Sequence, residues 1–326
     1  MAHGSPLIIL TRPLPADPLR TLAAAGFTNV WINPRDERLS RPELLSAVSG
    51  AHAVIATPAD VLINAEFFDH AGDQLTVVSN YAVGVDNIDL AEARRRGIRI
   101  GHTPDSVTEP TADAAWLLML AAARRAREGL DIARSGTWSG VRPLDPPGRR
   151  VVGKTLLIIG PGRIGTVVAR RAVGWNMTIL YTARSGHPGI EAPPMRARRV
   201  ALEAGLAAAD FVTIHTPLTD LTHHLINAER LALMKPTAVL VNTSRGPVVD
   251  EAALATAVRE GTIFAAGLDV FEKEPRIHPD LIGLDRVFLL PHWGSTTDED
   301  RTWMTDQAVG NVIAALLGKP LLNEFM

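Results

Sequence analysis

Ile158-Ile159-Gly160-Pro161-Gly162-Arg163-Ile164-Gly165 is the stretch that decides how this chain reads. The apolar run Leu156–Ile159 stands before the glycines, and a helix-compatible segment, Arg163 to Val173, follows them. Strand, glycine turn and helix start form the context that gives G-x-G-x-x-G its meaning as a dinucleotide fingerprint. Gly160 permits the tight turn, Gly162 lets the backbone approach a pyrophosphate, and Gly165 lets helix and strand pack closely. Arg163 and Ile164 open the helix whose free N–H groups would face the pyrophosphate.

Downstream residues bear on which dinucleotide is bound. In an NAD site an acid about 20 positions on accepts the ribose 2′-hydroxyl. Here the next strand-like run, Met177–Tyr181, ends in Thr182-Ala183-Arg184-Ser185, with no Asp or Glu. A carboxylate there would repel a 2′-phosphate, whereas an arginine and two hydroxyls would hold it through charge-assisted hydrogen bonds. NADP is therefore expected over NAD.

Composition sets the wider bounds. The 326 residues are 46% hydrophobic and 21% charged, with a net charge of −2, the balance of an ordinary globular chain long enough for two domains. Near-neutral charge argues against a nucleic-acid or anionic-membrane surface. The basic clusters Arg94–Arg96, Arg124-Arg125, Arg170-Arg171 and Arg198-Arg199 are dispersed and read as solvated helix faces. With no cysteine, disulfides, cysteine-zinc sites and thiol nucleophiles are excluded, and a reducing, cytoplasmic setting is expected. The longest apolar run, Ala114 to Ala123, is short of the roughly 20 residues that span a bilayer. The first six residues lack the pattern of a signal peptide.

The first hundred residues alternate strand-like runs (Leu7–Leu10, Val30–Ile32, Ala53–Ala56, Leu75–Val78, Ile98–Ile100) with helix-like ones (Pro18–Ala25, Arg41–Val48, Ala65–Ala71, Asp89–Arg96). This rhythm implies a five-stranded, flavodoxin-like α/β domain with a parallel sheet. One long helix is expected over Thr111–Arg134, followed by a proline-rich connection, Arg142–Gly148. A second series supplies strands at Thr155–Ile159, Thr178–Tyr181, Phe211–His215, Ala238–Asn242, Phe264–Leu268 and Val287–Leu290. Gly186–Pro194 reads as a loop, and a last helix, Asp298 to Leu317, is capped by Asp298 or Thr297.

Three segments stand after strands of the second series, where an open parallel sheet places its ligands. Val241–Asp250 carries Arg245, Gly267–Pro275 carries Asp269, Glu272 and Glu274, and Leu290–Ser295 carries His292. An arginine, a carboxylate and an imidazole beside a dinucleotide site form a candidate reaction centre.

These segments, the fingerprint and Asn80-Tyr81-Ala82-Val83-Gly84-Val85-Asp86-Asn87-Ile88-Asp89 resemble the D-2-hydroxyacid dehydrogenases. The resemblance runs over nearly the whole chain and is nearest to the glyoxylate/hydroxypyruvate reductase branch. It implies that Arg245 grips the substrate carboxylate, that His292 is the catalytic acid/base, and that Glu274, immediately before Pro275, is its glutamate partner. It implies that Asp269 fixes the nicotinamide carboxamide, and that Val83 and Gly84 offer backbone N–H groups to the substrate. Thr216, Pro217, Thr243 and Gly294 are implied to line the cofactor with the residues above. Chemistry agrees: a guanidinium fork suits a carboxylate. An imidazolium suits protonation of a developing alkoxide. A carboxylate beside it favours the charged form. No metal is required.

The resemblance also implies two α/β domains, Rossmann-like and flavodoxin-like, with mainly parallel sheets. The cofactor domain, about 102–292, is inserted into a substrate domain made of about 1–101 and 293–326. A homodimer is implied, through the long helix and the arm near Trp138. Trp293, Val85 and Pro110 depart from the family pattern, the first two with a bearing on the substrate pocket. The expected reaction is NADPH-dependent reduction of glyoxylate or hydroxypyruvate to the D-2-hydroxy acid. The alternatives are another substrate of the same family (2-ketogluconate or phosphite, with formate disfavoured by Glu274) and a nucleotide-sensing corepressor. Such corepressors usually carry extra tails, for which the chain is expected to leave no room.

Overall fold

The computed structural model describes residues 5–58 and 61–325. Contacts divide the chain into two units: one runs to Val107 and resumes at Thr296, and the other spans Thr108–Ser295. Sequence placed the junctions at 101/102 and 292/293. The difference at the first junction is due to segment 102–107, which bonds within the first unit: His102 N donates to Asn323 O and Thr103 N to Ala82 O.

The first unit has strands β1 (Ile8–Leu10), β2 (Val30–Ile32), β3 (Ala53–Ala56), β4 (Val77–Asn80) and β5 (Arg99–Gly101). All pairs are parallel, in the order β2-β1-β3-β4-β5, the flavodoxin-like arrangement. Helices α1 (Pro18–Ala24), α2 (Arg41–Ala47), α3 (Ala65–Ala71) and α4 (Leu90–Arg95) fill the crossovers. Side chains alternate along each strand, so the sheet feeds two cores. Ile9, Val54 and Val78 pack with Leu44, Phe67, Phe68 and Ala93 of α2 to α4. Ile8, Leu10 and Val77 pack with Leu22 of α1 and with Met304, Ala308, Val309 and Val312 of the returning C-terminal helix.

The second unit opens with α5 (Thr108–Ala123) and α6 (Ala126–Ser135). One continuous helix was expected here, but the chain breaks at Arg124-Arg125, with Arg125 in the left-handed region (φ 54°). The break frees the end of α5 for the incoming connection: Arg149 N donates to Ala123 O at 2.7 Å. The two helices also differ in environment, eleven of sixteen α5 residues being buried and none in α6. Pro110 lies in the first turn of α5, where its missing N–H is tolerated.

Seven parallel strands follow: β6 (Thr155–Ile159), β7 (Thr178–Thr182), β8 (Arg198–Arg199), β9 (Phe211–Ile214), β10 (Val239–Asn242), β11 (Ala265–Leu268) and β12 (Val287–Leu289). Their order is β12-β11-β10-β9-β6-β7-β8, with the direction of winding reversing between β6 and β9. Strand β8 was not foreseen: Arg198-Arg199 pairs with Leu180-Tyr181 and is no helix face. Helices are α7 (Arg163–Ala172), α8 (Pro188–Glu191, a turn inside the expected loop), α9 (Leu202–Ala208), α10 (Ala228–Ala232), α11 (Glu251–Glu260) and α12 (Pro279–Ile282). Helices α5 and α7 cover one face over Leu156, Ile158, Val239 and Val241. On the other, Leu206, Leu231, Leu254 and Leu281 pack over Leu157, Val212 and Leu240. Helix α13 (Asp298–Leu316), capped by Thr297, returns to the first unit.

Candidate active site

The glycines of the fingerprint sit where the winding reverses. Gly160 has φ 90°, and a Cβ on it would lie 2.7 Å from His215 O at the end of β9. A Cβ on Gly165 would lie 2.4 Å from Gly160 O. Gly162, by contrast, has nothing within 4 Å of such a Cβ, and as N-cap of α7 it supplies no side-chain cap. Close packing at Gly160 and Gly165, with open space over the helix N-terminus carrying Arg163 and Ile164, fits a pyrophosphate seated on backbone amides.

Thr182 ends β7, and its carbonyl accepts from Gly160 N at 3.2 Å. Arg184 and Ser185 are exposed beyond it. Arg199 was missed as a contributor here: its guanidinium donates to Ala183 O (3.1 Å) and Arg184 O (2.7 Å), bracing this loop. The nearest downstream acid, Glu191, accepts from the Tyr181 hydroxyl, which in turn receives His187 N at 2.9 Å.

His215 is a second residue missed by sequence reasoning. It lies 2.9 Å from Thr213 Oγ1 through Nε2 and 3.5 Å from Thr243 Oγ1 through Nδ1, so Thr243 and the fingerprint meet around it. Some of its surface reaches solvent, but its ring is sunk among protein atoms, and burial pulls its pKa down to about 3. It is neutral at physiological pH. Thr216 and Pro217 follow directly, with Pro217 O accepting from Thr222 Oγ1 at 2.7 Å.

Three strand ends build the candidate reaction centre. Beyond β10, buried Asn242 organises the turn: its Oδ1 accepts from Ser244 N (3.0 Å) and Oγ (2.9 Å), and its Nδ2 donates to Arg245 O (2.9 Å). Arg245 donates to Ser244 O at 2.8 Å. Beyond β11, Asp269 is 1% exposed. Its Oδ1 accepts from Trp293 N at 2.6 Å, its Oδ2 from Gly294 N at 2.8 Å, and its carbonyl from His292 N at 2.9 Å. Burial keeps the carboxyl pKa above its ordinary range in spite of these donors. Both Asp269 oxygens thus anchor the loop beyond β12 that carries His292, a task the sequence did not reveal. A Cβ on Gly294 would lie 2.9 Å from Asp269 Oδ2, so glycine is required for the grip.

His292 holds φ 57°, an uncommon value for a residue with a side chain. That backbone turns its ring toward Glu274: Nδ1 and Glu274 Oε2 are 2.8 Å apart. An ionised carboxylate only accepts, so Nδ1 carries the proton and Nε2 is the nitrogen left to meet a substrate. Glu274 Oε1 accepts from Phe271 N at 3.0 Å. Burial pushes the Glu274 carboxyl up, but the His292 bond and charge, the Phe271 N–H and the Arg245 charge together hold it below the usual carboxylate range. Arg245, Glu274 and His292 are thus brought to one end of one sheet.

Val83 and Gly84 belong to the first unit, after β4. Neighbouring carbonyls there are engaged: Ala82 O by Thr103 N, Val83 O by His102 Nδ1, and Gly84 O by Asn80 Nδ2. The Val83 and Gly84 amides donate no hydrogen bond among the described residues. Val85, expected to shape the pocket, is buried in the core with Val61, Ile63 and Ile88. Trp293 is 58% exposed. Among the described residues no group of acids and histidines could hold a metal, and no helix is long and apolar enough to cross a membrane.

The family described as D-isomer specific 2-hydroxyacid dehydrogenase, NAD binding domain, matches residues 116–294. A glyoxylate reductase of Thermococcus onnurineus is 46% identical over 313 residues, 95% of this chain and 92% of that protein. Among solved structures, a Thermus thermophilus protein aligns with a TM-score of 0.92 at 42% identity, over 98% of this chain and 100% of that one. An NADPH-dependent glyoxylate/hydroxypyruvate reductase of Sinorhizobium meliloti, in complex with NADP and malonate, aligns at 0.83 and 31% identity, over 99% and 97%.

Proposed function

The chain belongs to the D-isomer specific 2-hydroxyacid dehydrogenase family, and on that premise we propose that it reduces a short 2-oxo acid, glyoxylate or hydroxypyruvate, to the D-2-hydroxy acid with NADPH. The observation that carries this reading is the His292–Glu274 pair at 2.8 Å, anchored by Asp269 beside a dinucleotide fingerprint.

A bound nicotinamide supplies the hydride. The residues do the rest. Arg245 binds the substrate carboxylate through its planar fork, which fixes the face of the carbonyl that is shown to the nicotinamide. As hydride reaches the carbonyl carbon, its oxygen becomes an alkoxide, and His292 Nε2–H gives it a proton. Glu274 orients the ring and stabilises the imidazolium before transfer. His292 is 53% exposed along its side chain, so solvent can return the proton.

NADPH preference is supported by Thr182, Arg184 and Ser185 at the end of β7, by the Arg199 brace, and by the engagement of Glu191 with Tyr181. The S. meliloti reductase with NADP points the same way. A homodimer is supported by exposed apolar side chains on α6 and the following arm: Leu130, Ile132, Trp138, Val141 and Leu144, the last 95% exposed. The test is to mix the protein with NADPH or NADH and a panel of 2-oxo acids and to follow nicotinamide absorbance. Rapid NADPH oxidation by glyoxylate or hydroxypyruvate is expected. Silence with both, and turnover with another acid or none, would overturn the assignment.

A further inference from the structure

Loop 269–275 hangs from β11 and presents Glu274, but its middle is tied elsewhere. Glu272 N donates to Glu251 Oε1 at 2.8 Å, and Glu251 N donates to Glu272 Oε1 at 2.9 Å. Each glutamate accepts the other's backbone N–H. Glu251 is the first residue of α11 and is 4% exposed. The two carboxylates therefore lie close together with little solvent to screen them, an arrangement that is unfavourable on its own. A hydrogen-bonded link of this type persists where a fixed geometry is needed.

The clasp has a second contact. A Cβ on Gly246 would lie 1.9 Å from Phe271 C and 2.0 Å from Phe271 O. The turn that begins at Arg245 is thus in direct backbone contact with the loop that ends at Glu274. Phe271 N donates onward to Glu274 Oε1. A continuous path runs from Glu251 through Glu272 and Phe271 to Glu274 and His292. The groups facing the clasp are His224, whose Nε2 is 3.3 Å from Glu272 Oε1 and whose Nδ1 is 4.0 Å from Asp250 Oδ2, and His278 beside Glu251.

We propose that the Glu251–Glu272 clasp is a positioning device for the reaction: it sets the Glu274 carboxylate against His292 and ties that pair to the Arg245 turn. This rests on Arg245, Glu274 and His292 being the reaction centre. The rival role is purely structural, a staple for the start of α11.

Glu251→Ala removes one acceptor of the clasp, whereas Glu251→Gln retains an amide oxygen that can accept Glu272 N–H. Expected for Glu251→Ala is a fall of about tenfold or more in kcat on glyoxylate, with KM for NADPH nearly unchanged and the alkaline limb of the pH profile moved down. Glu251→Gln should recover most of the loss. In a Glu274→Gln background, Glu251→Ala should change kcat by less than about twofold, because its effect runs through Glu274. A loss of thermal midpoint with unchanged kcat, or a kcat loss that multiplies independently with Glu274→Gln, would overturn the proposal. Glu272→Ala opens the same clasp from the loop side and must give the same pattern should Glu251→Ala not fold. Wild-type turnover tests the reaction itself. The low-field resonance of the His292 ring proton tests the clasp without turnover: it should shift in Glu251→Ala, and an unmoved resonance would refute the positioning role.

Discussion

Asp269→Asn tests the anchor of the His292 loop most directly. The wild-type carboxylate receives two backbone N–H groups, from Trp293 and Gly294, at 2.6 and 2.8 Å. Asparagine keeps one acceptor and turns the other position into an NH2 donor facing an N–H donor. One hydrogen bond to a charged group is lost, about 1.5–3 kcal/mol, and a buried N–H is left unpaired, about 1–3 kcal/mol. The neutral amide recovers part of this, since burial of the charged form is itself unfavourable, as the raised Asp269 pKa indicates. A net loss of about 2–4 kcal/mol is expected. At about 2–4 °C per kcal/mol for a unit of this size, the thermal midpoint should fall by about 4–16 °C. Because His292 holds a left-handed backbone (φ 57°) between these contacts, kcat should fall with stability. Calorimetry and stopped-flow reduction of glyoxylate read the two effects. A variant with an unchanged midpoint and wild-type kcat would show that Asp269 does not hold the loop.

His292→Ala should lower kcat by about two to four orders of magnitude with cofactor binding intact, read by turnover and NADPH fluorescence titration. NADPH should be preferred at least about tenfold over NADH in kcat/KM, about 1.4 kcal/mol; Arg184→Ala and Arg199→Ala should each erode that ratio, and equal efficiencies in the wild type would remove the 2′-phosphate site. Glu274 titrates below its ordinary value in the folded chain, so its pairing contributes stability above the unfolded carboxylate pKa and loses it as pH falls through the folded one. The stability gap between wild type and Glu274→Gln should therefore be present at neutral pH and close below about pH 4, as read by denaturant midpoints across pH.

The features legible in the sequence were those with local signatures. Gly160, Gly162 and Gly165 announce a strand-to-helix turn because their spacing is set by backbone geometry alone. The strand rhythm announces parallel sheets because both faces of each strand are covered. Arg245, Glu274 and His292 stand out as reactive types just after strands. Hidden were the contacts that hold these in place, even where the residue itself, such as Asp269, had been singled out for another role. Asn242, Asp269, His215 and the Glu251–Glu272 pair work through backbone groups distant in the chain, which leave no period or motif. The break at Arg124-Arg125 was masked by strong helix formers on both sides, and β8 by its two arginines, which read as surface charge. Val85 looked like a pocket residue by position, yet its apolar side chain is taken into the core.

The return of α13 to the first sheet constrains the order in which the molecule is completed. Met304, Ala308, Val309 and Val312 cover the face formed by Ile8, Leu10 and Val77, and Glu324 bridges to Gly101. On the ribosome, that face emerges early and stays bare until the whole intervening unit has been synthesised. The inserted unit is contiguous and can mature as soon as it leaves the exit tunnel. The segment made before the inserted unit is therefore finished after it, and while that unit is being synthesised it presents an apolar sheet surface to chaperones. Mutations that weaken α13 should show first as a loss of yield during biosynthesis, before any change in the chemistry of the finished molecule.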